Sequence, residues 1–165
     1  MPAVFNHANI VSPDPERLAQ FYCTVFDCVR HGPERNLHGE WLERGMGLAG
    51  ARVHGIFLRL PGHGENGPSL EIFSLDGVKL ADPRPVDKSG LMHLCFNVDD
   101  AHETLSRILA AGGSRQGEIV RAPVKGVGAA DFVYARDPDG NIIEISAWIS
   151  KQDLSAASRP SEWSN

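Results

Sequence analysis

Four residues have side chains suited to holding a divalent transition metal and moving protons: His7, Glu71, His93 and Glu144. Each histidine stands in a short apolar stretch, FNHANIV (5–11) or GLMHLCFNVDD (90–100). Each glutamate stands in another, SLEIFSL (69–75) or NIIEISAWI (141–149). An ionised carboxylate in such a stretch must be paired, protonated or metal-bound. Two imidazoles and two carboxylates suit zinc, nickel, cobalt, iron(II) or manganese, and on an octahedral ion they leave two neighbouring positions for substrate oxygens. Taken singly, each residue has a plainer reading: a histidine satisfied by its neighbours, or an edge-strand glutamate facing water. Their recurrence in two corresponding pairs points to a metal.

The elements that position them also recur. In the first copy, Asp14 and Pro15 start a helix whose Leu18, Phe21, Tyr22, Val25 and Phe26 fall on one face. In the second, Asp100 followed by Glu103 fits a capping box, Leu105, Ile108 and Leu109 supply the stripe, and Gly112–Gly113 end the helix. Strands are expected at 52–60, 69–75, 131–137 and 141–149, with weaker ones near 28–35 and 115–121. The DPDG turn (137–140) joins the last two. Each half therefore reads βαβββ, and together the halves bury a joint core. The first module spans 1–75, with an inserted short helix in a loop or lid at 35–52; 76–89 is a polar linker, 90–149 the second module and 150–165 a polar tail. Side chains alternate along a strand, so each His and Glu falls on the face away from the helix.

Bulk properties narrow the function. The chain has 165 residues, 42% of them hydrophobic and 22% charged, with a net charge of −5. That balance disfavours a nucleic-acid binder, and no apolar run is long enough to span a membrane. The N-terminus shows no signal peptide. Cys23, Cys28 and Cys95 are odd in number and sit in apolar contexts, as reduced thiols in or near the core of a cytoplasmic protein would. The other histidines read as surface residues, with His38 and His54 as possible pocket contacts.

With these residues in place the sequence resembles the vicinal oxygen chelate superfamily, which includes glyoxalase I, methylmalonyl-CoA epimerase, extradiol dioxygenases and bleomycin resistance proteins. The resemblance covers roughly residues 3–149 and is best in APVKGVGAADFVYARDPDGNIIEI (122–145). It implies an α+β fold, two βαβββ modules in an eight-stranded, incompletely closed barrel, and a homodimer with a small-molecule substrate. It also implies one divalent ion on His7, Glu71, His93 and Glu144. The shared chemistry is chelation of adjacent substrate oxygens, so that a Lewis acid stabilises an enediolate as a neighbouring proton leaves. Glu144 is then the expected base, with Glu71 its near-symmetric alternative. The four-ligand set matches glyoxalase I. Two arginine and asparagine contacts to glutathione in that enzyme have no counterpart in HANIVSPD or EIFSL, while Lys125 does match. Alternatives are an epimerase of the methylmalonyl-CoA type, an Fe(II) dioxygenase, or a non-catalytic binder whose pocket is lined by Phe5, Trp41, Phe73, Phe96 and Trp148.

Overall fold

The computed structural model describes residues 2–125 and 127–150. In chain order the elements are β1 His7–Val11, α1 Pro15–Phe26, β2 Val29–Arg30, β3 Arg35–His38, α2 Glu40–Met46, β4 Arg52–Arg59 and β5 Ser69–Leu75. They continue as β6 His93–Asn97, α3 Ala101–Ala110, β7 Ser114–Arg115, β8 Val120–Val124, β9 Gly128–Arg136 and β10 Ile142–Ser150. The fold is α+β, and the chain divides into two compact units. One runs to Pro83 and takes in the turn Asp137–Gly140; the other is Arg84–Arg136 and continues from Asn141.

Each unit holds one sheet, and neither sheet closes on itself. The first has the order β1-β5-β4-β2, with β3 also on β4; the second has β6-β10-β9-β7, with β8 also on β9. In each, the outer two edges differ: β1 joins β5 and β6 joins β10 in parallel, while all other pairs are antiparallel. The expected four strands per half appear as five segments. β2 pairs with the end of β4 at Leu58–Arg59 and β3 with its start at Arg52–Gly55, so the two share one lane broken around Gly32–Pro33. β7 and β8 share a lane on β9 in the same way. The inserted segment is correspondingly shorter than 35–52, because 35–38 is ladder rather than loop.

Helix caps form as the sequence demands. The Asp14 side chain accepts from the Arg17 amide with Pro15 just inside the helix, and Asp100 accepts from the amides of His102 and Glu103. α1 lays Leu18, Tyr22 and Val25 against β4 and β5, whose Ile56, Leu58, Leu70 and Ile72 are buried. α3 lays Leu105 and Ile108 against β9 and β10, where Val133, Ala135, Ile143 and Ile145 are buried. Each such side chain contributes about 1.5–3 kcal/mol over remaining exposed. The turn at Asp137–Gly140 docks on α1: the buried Tyr22 hydroxyl donates to Asp137 Oδ2 at 3.0 Å, and Arg17 pairs with Asp139. On the opposite face of the first sheet, α2 seats Leu42 on Val53 with Leu37, Phe73 and Leu75, covering one end of that face. The expected polar tail falls outside the described residues beyond Ser150, which itself ends β10.

Candidate metal centre

Strand register places the four residues. In the first sheet, β1 and β5 pair so that His7 lies opposite Ser69 and Asn9 opposite Glu71. In the second, His93 lies opposite Ile142 and Cys95 opposite Glu144. Each histidine is therefore two residues short of its glutamate's partner, and the diagonal brings the side chains together. His7 Nε2 lies 3.4 Å from Glu71 Oε2, and His93 Nε2 lies 2.9 Å from Glu144 Oε2. Each histidine is the first residue of its strand, and each stands seven residues before the helix-capping aspartate. The structure thus gathers the four residues as two His–Glu pairs, one in each unit. Among the described residues no three His, Cys, Asp or Glu side chains are grouped to hold an ion by themselves.

The surroundings of the pairs differ. Glu71 is 7% exposed, so it is not the water-facing edge residue it would be if read alone. Asn9 Nδ2 donates to its Oε2 at 3.4 Å. His7 Nδ1 lies 2.6 Å from Asn6 Oδ1. With Nδ1 donating to that oxygen, Nε2 is left facing the carboxylate, where a proton or a metal ion can sit between the two. In the second pair the asparagine position is Cys95, and on the other side of Glu144 the residue directly opposite is Tyr134. Burial, followed by the Glu144 charge, pushes the Tyr134 phenol up. The His93 ring lies 5.3 Å from the Tyr134 ring, and its Nδ1 is buried with no partner among the described residues. A nitrogen and a carboxylate oxygen aimed at one another in both pairs fit a borderline divalent cation.

Four expectations change in detail. Cys95 is exposed on the His93 face rather than in the core, whereas Cys28 is buried, which pushes its thiol up to about 12; all three cysteines are free. His31 is not a plain surface residue: its ring stands edge-on to Phe57, with Nε2 3.2 Å from Ser69 Oγ. His38 and His54 pair opposite Arg52 and Ser74 on the face away from Glu71, which removes them as pocket contacts. Phe5, Trp41 and Trp148 are exposed, at 69%, 63% and 53%. The sequence reading missed Asn6, Asn9 and Tyr134; the two-residue alternation around His7 marked Asn9, but Tyr134 is visible only through the β9–β10 register.

Known proteins agree with this architecture. A family model of the Glyoxalase/Bleomycin resistance protein/Dioxygenase superfamily matches residues 4–145. A probable lactoylglutathione lyase of Vibrio parahaemolyticus is 42% identical over 53 residues, which is 32% of this chain and 36% of that protein. The matches span less than half the length of the curated relatives. A glyoxalase family protein from Bacillus cereus superposes with a TM-score of 0.68 at 23% identity, covering 87% of this chain and 91% of that one. A mutant of the fosfomycin resistance protein FosX from Listeria monocytogenes, solved with Mn(II) and a dihydroxypropylphosphonic acid, superposes with a TM-score of 0.55 at 17% identity, covering 93% and 99%. The strand order, the paired modules and the family match agree: this chain is a member of the glyoxalase/bleomycin resistance protein/dioxygenase superfamily.

Proposed function

We propose that the protein is a divalent-metal-dependent enzyme, a glyoxalase-like isomerase or lyase that moves a proton beside a carbonyl of a small oxygenated substrate. The observation that carries this reading is the repeated diagonal His–Glu pair, made by the same stagger in both sheets. The ligands are His7, Glu71, His93 and Glu144, one pair from each unit, supplied by one chain or by two copies of a homodimer. Zinc, nickel, cobalt, iron(II) and manganese all suit two imidazoles and two carboxylates. The Mn(II)-bound FosX neighbour supports a metal on this fold.

A divalent cation bound there would supply Lewis acidity to adjacent substrate oxygens. The chain's own residues do the rest. Glu144 accepts the proton from a substrate C–H and returns it to a neighbouring atom, so the product is an isomer with no net redox change. Tyr134, directly opposite Glu144 across the β9–β10 ladder, stands beside the carboxylate and restricts its orientation. Glu71 is more buried and is held by Asn9, which favours Glu144 as the mobile base.

Metal analysis of the purified protein, paired with turnover assays on methylglyoxal with several thiols and on methylmalonyl-CoA, tests the reading. One divalent ion per set of four ligands, with chelator-sensitive turnover, is expected; metal far below stoichiometry ends it. A second reading, a non-catalytic small-molecule binder, draws on the contacts of Phe57 with Phe73 and of Phe132 with Tyr134 beside the glutamates. It requires ligand binding without stoichiometric metal. The free thiols suit a cytoplasmic setting, and among the described residues no helix is long and apolar enough to cross a membrane.

A further inference from the structure

The face of the first sheet that carries Glu71 also carries two arginines. Arg59 lies beside Ser69, in the row of His7. Arg35 lies beside Gly55, in the row of Phe73. The row between them holds Glu71 and, one lane over, Phe57. The Arg35 guanidinium sits over the Phe57 ring at 4.4 Å from its centroid, and His31 stands edge-on to the same ring. Both arginines are half-buried, and among the described residues neither meets a carboxylate.

The second sheet provides an internal comparison. Arg136 occupies the position of Arg59, since it pairs with Ile142 as Arg59 pairs with Ser69. Arg136 is 9% exposed overall, and its guanidinium donates to Gln116 Oε1 and to the Arg84 carbonyl. The position of Arg35 is taken by Val120, beside Phe132. One module therefore ties its arginine into the scaffold and places a valine at the other position. The other module leaves two guanidinia without acids, flanking an aromatic ring one lane from the catalytic-type glutamate.

Planar guanidinia partly shielded from water and lacking a carboxylate are receptors for oxyanions. We propose that Arg35 and Arg59, with His31, form a subsite for a carboxylate or phosphoryl group, so that the substrate of the adjoining centre is an anionic oxygenated compound. Its charged group would sit one to two strand spacings, about 5–10 Å, from Glu71. The word substrate rests on the proposed function; the anion site does not, because it uses no metal ligand.

The test titrates ¹⁵N-labelled full chain, stripped of metal with EDTA, against sodium methylphosphonate in one arm and sodium acetate in the other, at constant ionic strength. The readout is the arginine Nε–H resonances, assigned from Arg35→Gln and Arg59→Gln spectra. Saturable shifts of both resonances are expected in at least one arm, with Kd raised about 10-fold in either variant and unchanged in Arg44→Gln, an exposed arginine on α2. Saturation by methylphosphonate alone assigns a phosphoryl group, by acetate alone a carboxylate, and by both a general oxyanion site. Arg35→Lys, which keeps the charge but loses the flat fork, recovers part of the affinity. Shifts that stay linear and match a chloride titration in both arms overturn the proposal, as does binding unaltered in both glutamine variants. Anion binding in a protein that takes up no metal would end the metal reading and leave the subsite standing.

Discussion

His93 and Glu144 meet, Nε2 to Oε2 at 2.9 Å, although the parallel register of β6 and β10 sets Glu144 opposite Cys95. The contact is a diagonal one across neighbouring lanes, and β1 with β5 repeats it for His7 and Glu71. Parallel pairing with a two-residue stagger keeps both side chains on one face and leaves the residue directly opposite the glutamate to tune the acid. That residue is Asn9, a hydrogen-bond donor, in one sheet and Cys95 in the other. The two glutamates are equivalent by position and different by restraint.

On the proposed mechanism, this difference makes Glu144 the residue whose basicity matters most. Glu144→Gln keeps the shape of the side chain and removes its capacity to take a proton. Turnover should fall roughly 10²–10⁴-fold, whereas Asn9→Ala should cost far less. Initial rates and metal content measured on the same preparations decide it: an unchanged rate with unchanged metal removes Glu144 from the mechanism.

The Nδ1 of His7 lies 2.6 Å from Asn6 Oδ1, an arrangement that orients the ring and leaves Nε2 facing Glu71, where the proposed metal would bind. Loss of such an outer partner weakens metal binding about 10- to 100-fold. Asn6→Ala should show that loss in competition against a chromophoric chelator. Asn97→Ala, whose side chain accepts from Trp148 Nε1 instead, should not. Equal affinities for the two variants would mean that His7 does not ligate through Nε2.

Much of this was legible in the sequence because the signals are local. Asp14–Pro15 and Asp100 start their helices through contacts within one turn, and SLEIFSL spans β5 to the residue. The alternation around His7 and His93 assigned the correct face. The split lanes were not legible: β2 and β7 are two residues long, and only their pairing with β4 and β9 defines them. Tyr134 escaped for the same reason, since it reaches Glu144 through a cross-strand register that no local pattern encodes. Cys95 looked like a core thiol because its neighbours are apolar, yet alternation in β6 turns it outward beside Glu144.

Tyr22 offers a test of how the DPDG turn is held. Its hydroxyl is fully buried and donates to Asp137 Oδ2, and burial first, then the Asp137 charge, pushes its phenol well above the usual range. Below about pH 10, near the ordinary phenol value, the group is protonated in both folded and unfolded chains, and its contribution is fully present. Above that, the unfolded chain loses the proton while the folded chain keeps it, so stability falls as pH rises. Tyr22→Phe should cost about 1–3 kcal/mol at neutral pH by removing a donor from a buried carboxylate. The wild-type advantage should shrink above about pH 10, and urea unfolding across that range checks the slope. An advantage that grows with pH would contradict the assignment.

Gly55 is the point where the inner face of the first sheet tolerates no side chain. A Cβ there would lie 2.2 Å from Phe73 Cδ1 and 3.0 Å from the Ile72 carbonyl oxygen. Phe73 thus lies over the glycine, in the row below Glu71, and packs on the Leu42–Val53 cluster that anchors α2. Gly55→Ala must push the ring away, at a cost of about 1–3 kcal/mol for an overpacked site. The ring is also what α2 rests on, so the segment 47–50 that follows α2 should become more susceptible to limited proteolysis. Phe73→Ala loosens the helix on its own by removing the ring. In that background Gly55→Ala should cost much less, because the two residues share one space and their effects are not additive. A double-mutant cycle from urea unfolding measures that coupling, and additive energies would show that Phe73 does not occupy the space above Gly55.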